Sequence, residues 1–426
     1  MKLKTLAGIL AVAGLAMPGM ASATNGYFSH GIGIKAKGMG GVGIALSQDS
    51  LAAATNPAGM VLVGDRMDLG VDWFRPDRTT TWQKDNPWGM AGAKAGDYNS
   101  GSKDFLVPEF GYNMMLGEKM SLGISVYGNG GMNTDYGQIV IAGGTTNTYS
   151  NLEQLFISPT VAYKLSPEHS IGVSLNLVYQ TFEARGLQAF QSQSSYSGDV
   201  TDRGKDTSTG AGLKFGWTGQ ISPEVTLGAT YQFKTKMSKF DKYKGLFAEQ
   251  GGFDIPETYG VGIAVKASPK TTVAADIVQI NYGGIRSLAN QGTTFPLVSA
   301  TPMGADNGSG FGWKDQTVYK LAISHQYRDD LVLRAGYNYA KMPITENNTF
   351  FNILAPATVE QHLTLGATWT LANKSELSVS YMHAFDKGIN GPNNGLGGNP
   401  TASLIGYPVN LKMNQDSLGI AYGMKM

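Results

Sequence analysis

The chain has 426 residues, with 33 Lys plus Arg against 32 Asp plus Glu and no Cys. Near-neutral charge removes the electrostatic case for a nucleic-acid partner, and the lack of Cys removes disulfide scaffolds, thiolate metal sites and cysteine nucleophiles. Charged side chains make up only 15% and Gly contributes 57 residues, a balance unlike the ~25% charged, ~7% Gly average of soluble domains.

Residues 1–23 read as an export signal. Lys2 and Lys4 precede the apolar run Thr5–Met17, Pro18 breaks it, and Ala21-Ser22-Ala23 supplies a small-residue cleavage site. The apolar run is too short to cross the ~30 Å core of a bilayer as a helix. Residues 24–65 come next and lack strand alternation. They carry Gly26, Gly31, Gly33, Gly38, Gly40, Gly41 and Gly43, then a predicted short helix over Ser47–Thr55 that Pro57 ends. Gly38, Gly40 and Gly43 fit G-x-G-x-x-G, but no strand precedes them, so a dinucleotide site is excluded on context.

From residue 66 onward the signal is period-2 alternation. Met67, Leu69, Val71 and Trp73 share one face of the first segment, with Asp68, Gly70 and Asp72 on the other. Leu363, Leu365, Ala367, Trp369 and Leu371 oppose Thr364, Gly366, Thr368 and Thr370 in the same way. About 14 such strands are predicted, beginning near residues 66, 105, 120, 153, 170, 210, 224, 256, 271, 316, 331, 360, 376 and 415. Short connections alternate with long ones near 77–104, 131–152, 181–209, 235–254, 281–314, 340–359 and 384–414, and three of the short ones contain Ser-Pro. A transmembrane β-barrel produces this pattern, with short turns at the periplasmic end and long loops outside. Only a closed sheet satisfies its backbone in hydrocarbon. Outward Tyr112, Tyr163, Tyr327, Trp369 and Tyr422 fall near one end of the strands. Trp73, Tyr179, Tyr231, Phe233, Tyr337 and Tyr339 fall near the other, as two interfacial belts require. The expected architecture is an all-β, 14-stranded antiparallel barrel over 66–426, its wide lumen occupied by residues 24–65 as a hatch.

Three motifs in that leading segment carry a resemblance. Thr24-Asn25-Gly26-Tyr27-Phe28, Lys37-Gly38-Met39-Gly40-Gly41 and Asn56-Pro57-Ala58-Gly59-Met60 resemble the mature N-terminus of the FadL family. That family consists of outer-membrane channels for long-chain fatty acids and, in a TodX-like branch, aromatic hydrocarbons. The resemblance implies a hatch, capture of ligand at an extracellular groove, a deeper pocket touching the hatch, and lateral release at a kinked third strand. Gly128-Asn129-Gly130-Gly131 is the candidate kink, because Gly inside a strand marks bulges and bends; the same run could instead begin the second loop.

The capture site is expected in loop 235–254. Phe240, Tyr243 and Phe247 have helical spacing and, with Leu246, would form an apolar groove. Lys236, Lys239, Lys242 and Lys244 would rim it for a carboxylate, or face lipopolysaccharide phosphates instead. Among inward charges Lys164, Lys214, Lys266, Asp276, Lys320 and Arg334, the candidates for a ligand carboxylate are Lys320 and Arg334. The five His accompany no G-x-S-x-G or H-E-x-x-H motif, so no catalytic residue, metal site or cofactor is expected. The expected partners are a fatty acid or hydrocarbon, outer-membrane lipid with lipopolysaccharide, and the outer-membrane assembly machinery, for a monomer. The chain ends Tyr422-Gly423-Met424-Lys425-Met426 rather than on the aromatic residue common in such barrels. A general or aromatic-selective porin and an outer-membrane hydrolase are the competing readings, and a surface receptor role could coexist.

Overall fold

The computed structural model describes residues 24–85, 94–292, 301–391 and 409–426. The export signal expected at 1–23 lies outside them. Fourteen long strands follow in chain order: β1 (Arg66–Trp82), β2 (Phe105–Leu116), β3 (Met120–Asp135), β4 (Tyr149–Lys164), β5 (His169–Arg185), β6 (Asp206–Gln220) and β7 (Val225–Gln232). Then come β8 (Thr258–Ser268), β9 (Thr271–Ile280), β10 (Gln316–Arg328), β11 (Leu331–Ala340), β12 (Gln361–Thr370), β13 (Glu376–Ile389) and β14 (Val409–Lys425). Each pairs antiparallel with its sequence neighbours. β14 pairs back onto β1 in unbroken register from Arg66↔Lys425 to Trp82↔Val409, which closes the barrel. Two short strands, Gly96–Asn99 and Lys236–Met237, add to β1 and β6 outside this cycle.

The short turns gather at one end, as the sequence predicts. In two of the Ser-Pro turns the serine hydroxyl accepts backbone N–H bonds from the residues that follow: Ser166 from Glu168 and His169, and Ser222 from Glu224 and Val225. Several strands run further into the long connections than their alternation suggests: β1 reaches Trp82, β4 starts at Tyr149 and β14 at Val409. Beyond the membrane level both faces are polar, as at Thr79–Thr81, so the hydrophobic period fades while backbone pairing continues.

The apolar surface is on the outside. Leu69, Leu106, Val261, Leu321 and Leu418 are exposed on the outer face, and Trp73, Tyr163, Tyr179, Tyr327, Tyr337 and Tyr422 are exposed near its two rims. Such a belt is stable only against hydrocarbon, with aromatic rings at the interfaces. The packed core lies within the lumen instead, where aromatic side chains of the loops meet residues 24–65.

Candidate functional site

Residues 24–65 lie inside the barrel as short helical turns at Ile34–Lys37, Ala52–Thr55 and Met60–Val63, joined by Gly-rich chain. Room for them comes from inward-facing glycines of the wall. A Cβ at Gly172 would lie 2.4 Å from the Pro57 carbonyl carbon, and one at Gly336 would lie 2.1 Å from that of Met39.

Inward polar side chains bind this segment at many points. The Glu109 carboxylate accepts the Gly33 and Ile34 N–H groups at 3.1 and 2.8 Å, and Asp276 accepts those of Gly43 and Ile44 at 2.8 and 3.1 Å. Asp68 accepts the Ser50 N–H at 2.9 Å. Lys37 pairs with Asp72 at 2.8 Å, and Lys35 with Glu376 at 2.5 Å. Burial opposes the charge on Lys37, but the Asp72 and Glu109 carboxylates outweigh it and raise its pKa. Lys35 goes the other way: burial and the nearby Arg66 charge pull its pKa down. Burial, followed by the charges of His362, Lys37 and Lys320, holds His30 well below the ordinary imidazole range.

The Asn56-Pro57-Ala58 motif has a physical role in this packing. Asn56 Oδ1 accepts the Ala58 N–H at 3.1 Å, while Nδ2 donates to Ile44 O at 2.7 Å and to Trp217 O on β6 at 3.0 Å. One side chain therefore caps the turn at Pro57–Gly59, ties two stretches of the inner segment together and fastens both to the wall. Pro57 suits the first position of that turn because its missing N–H would have no partner there.

The Gly128–Gly131 run lies within β3 rather than in the loop after it. The β3–β4 register shifts between Gly128 and Gly130, so Asn129 forms a bulge. Gly130 adopts φ 150°, and the inner segment pairs with the strand there: Ser29 N–H donates to Asn129 O at 2.8 Å and Gly131 N–H to Tyr27 O at 3.0 Å. A Cβ on Gly130 would lie 1.8 Å from Tyr27 O, which excludes other residues. The wall opens beside this bulge. β2 and β3 pair from Leu116↔Met120 only as far as Glu109↔Tyr127. Beyond that, β2 continues to Phe105 on β1 and β3 continues to Asp135 on β4, with no ladder between them. Gly101 N–H donating to Asp135 O at 2.6 Å closes the top of this slot.

Two cavities lie near this point, one beside the inner segment and one behind the slot. The first is lined by Phe28, Ile32, Ile44, Asn129, Lys214 and Lys320 among others. The second lies behind the slot and is lined by Phe74, Arg78, Gly131, Met132, Pro356 and Met413 among others.

Lys320 thus borders a cavity, its ammonium donating to His30 O and Gly41 O, both at 3.0 Å. Arg334 lies elsewhere, donating to Gln48 Oε1 at 2.9 Å and Thr368 Oγ1 at 2.7 Å. Phe240, Tyr243, Leu246 and Phe247 are all brought together, but not on the expected amphipathic helix. The segment instead forms a 3₁₀ turn at Asp241–Tyr243 and a helical turn at Ala248–Gly251, with positive φ at Glu249, Gln250 and Gly251. The reason is burial: the four side chains point into the lumen rather than leaving a groove open to water. Phe182 packs against Tyr243 and Phe247 at 4.8 and 4.7 Å, Phe247 against Phe253 at 5.0 Å, and Phe253 against Tyr27 at 6.1 Å. An aromatic path thereby runs from the loop to the inner segment. Lys239 and Lys242 stay on the outer side of the loop, exposed.

Sequence reasoning missed Glu109, Glu376 and Arg78. Each sits at an inward position of its strand, so a charged residue at inward parity was the available signal.

The comparisons with known proteins agree with this architecture. A family model described as outer membrane protein transport protein (OMPP1/FadL/TodX) matches residues 20–425. A long-chain fatty acid transport protein of Escherichia coli (strain K12) is 23% identical over 407 residues, covering 86% of this chain and 88% of that protein. Among solved structures, a Pseudomonas aeruginosa FadL homologue superimposes with a TM-score of 0.71 at 15% identity, covering 94% of this chain and 99% of that one. The P. putida toluene transporter TodX gives 0.66 at 18% identity, covering 93% and 99%. A barrel closed on itself, an apolar belt around it and a family match across nearly its whole length lead to one conclusion: this chain is an outer-membrane channel protein, not an enzyme, and belongs to the OMPP1/FadL/TodX family of outer membrane transport proteins.

Proposed function

We propose that the chain takes up hydrophobic small molecules, long-chain fatty acids or related hydrocarbons, across the outer membrane and releases them sideways. Residues 24–65 act as the hatch that denies water a straight path. Ligand enters by parting the aromatic side chains of Phe240, Tyr243, Leu246 and Phe247, and passes along Phe182 and Phe253 to the cavity beside the hatch. There Lys320, with Lys214, offers positive charge to a ligand head group, while Arg334 holds the hatch through Gln48. The outward lysines of loop 235–254 face lipopolysaccharide phosphates. The chain works as a monomer, inserted by the assembly machinery with Tyr422 as the last outward aromatic.

The slot beside the Gly128-Asn129-Gly130-Gly131 bulge carries this reading. Backbone without a ladder partner at membrane depth is tolerated only where it is buried in protein or lines a cavity, as it does here beside the inner segment. The uptake of labelled oleate by cells dependent on this protein tests it. Gly131→Trp fills the inner mouth of the slot, because Gly131 lines the cavity behind it. Uptake should collapse while the barrel keeps its heat-modifiable mobility on gels; unchanged uptake in a folded Gly131→Trp variant rejects lateral release.

A further inference from the structure

Arg78 is the odd residue at the slot. It faces inward from β1 and is only 5% exposed. One end of its guanidinium donates to Asn133 O on β3, the other to Ser102 O on the chain entering β2, so it crosses from one edge of the slot to the other. Its hydrogen-bonded partners are main-chain carbonyls, and its Nε has none. The guanidinium carbon lies 5.7 Å from the centre of the Phe105 ring. The adjoining cavity is otherwise largely apolar, with Phe74, Met132, Pro356 and Met413 on its walls. A buried cation held only by carbonyls is poorly compensated, and a carboxylate is its stronger partner by geometry and charge.

The height of Arg78 in the membrane sharpens the argument. Below it on the outer face run Met67, Leu69, Val71 and Trp73; Arg75, Asp77 and Lys103 come next, just below its level, and Lys412 lies just above it, their charges marking the head-group region. Phe105 pairs with Phe74, one step past the Trp73↔Leu106 pair. An amphiphile in the slot with its head at Arg78 therefore has its tail alongside Phe105, Phe74 and Met132, at the level of the hydrocarbon.

We propose that Arg78 is a carboxylate-responsive latch of the lateral exit, and that the preferred cargo is an amphiphile ending in a carboxylate, such as a long-chain fatty acid, rather than a neutral hydrocarbon. The inference rests on the uptake route proposed above and adds the substrate class. The ligand carboxylate takes over the guanidinium from Asn133 O and Ser102 O, freeing the two edges of the slot as the head group arrives. A neutral hydrocarbon offers nothing in exchange for those two hydrogen bonds and leaves the latch closed.

The test uses the full-length protein reconstituted in vesicles and compares transfer of oleate with transfer of methyl oleate, the same chain without the charge. Arg78→Gln removes the charge while keeping an amide N–H donor, and Arg78→Lys keeps the charge. Arg78→Gln should lower oleate transfer about tenfold, as loss of a charge-assisted contact predicts, and leave methyl oleate unchanged; Arg78→Lys should recover part of the oleate rate. Equal losses for both compounds, or no loss for either, overturn the latch. If Arg78→Gln fails to fold, wild-type protein decides: slower transfer of oleate than of its ester overturns the carboxylate preference, and faster transfer supports it. Wild-type protein that moves neither compound overturns the uptake reading itself.

Discussion

At the scale of single residues, the lumen is an exception to the rule that charges avoid burial. Lys37, Asp72, Glu109 and Asp276 are buried, and each is paired or bonded to backbone N–H groups of the hatch. Breaking one such pair leaves an isolated charge and typically costs about 3–5 kcal/mol, so these contacts select one seated position for the hatch. His30 makes that position sensitive to pH. Its ring is buried beside His362, with centroids 6.1 Å apart, and burial keeps it neutral in the seated state. In an unseated hatch the same ring would regain an ordinary pKa of about 6.5. The seated state refuses a proton that the unseated state binds, so seating is strongest above that pH and weakens as pH falls below it. Protease cleavage within 24–65 should therefore be faster at pH 5 than at pH 7.5, and His30→Asn should shrink the difference. Equal cleavage rates at both pH values in the wild type would reject this.

At the scale of elements, loop 235–254 has two unlike faces. Its aromatic residues join the lumen core, while Lys239 and Lys242 remain outside, bonded to Gln250 and Lys205 O. Replacing Lys236, Lys239, Lys242 and Lys244 together with Ala should leave fatty-acid affinity in detergent unchanged, because those lysines do not face the aromatic path. Phe247→Ala, by contrast, removes ring contacts to Phe182, Phe240 and Phe253. It should weaken the loop by roughly 3–5 kcal/mol, the usual cost of truncating a buried Phe, read as faster protease cleavage there. A fluorescence titration showing lower affinity in the lysine variant would restore the basic-rim reading. The helical spacing of Phe240, Tyr243 and Phe247 told which loop is amphipathic, but not whether its apolar face would open outward or fold inward. That choice depends on Phe182 and Phe253, one on a strand and one in the same loop, whose proximity no local pattern encodes.

At the scale of the whole molecule, the fold is a closed cycle of strands, interrupted by the slot between β2 and β3, around the inner segment 24–65. Fourteen strands enclose a lumen wide enough to conduct water unless it is filled, and here residues 24–65 and the inward loops occupy it. Intact protein in a planar bilayer should show no steady, porin-sized conductance steps, whereas a variant lacking residues 24–65 should show them. Large ohmic steps from the intact chain would reject the stoppered channel.

Although the Gly run read either as a strand kink or as the start of a loop, strand positions, strand number and the outward aromatic belts were legible in the amino-acid order. They arise from a period-2 pattern imposed by lipid on one face, which every strand must obey locally. The Asn56-Pro57-Ala58 motif was visible too, though not its bond to Trp217 O. What only the tertiary structure decided was which inward charges meet: Glu109 with Gly33 and Ile34, Lys37 with Asp72, and Arg78 with the two edges of the slot. Alternation shows that a charge faces the lumen, but its partner depends on how the leading segment coils there and on where a ladder between neighbouring strands stops. Both depend on contacts between residues far apart in the chain, such as Tyr27 with Gly131 and Gly33 with Glu109, which no local pattern encodes.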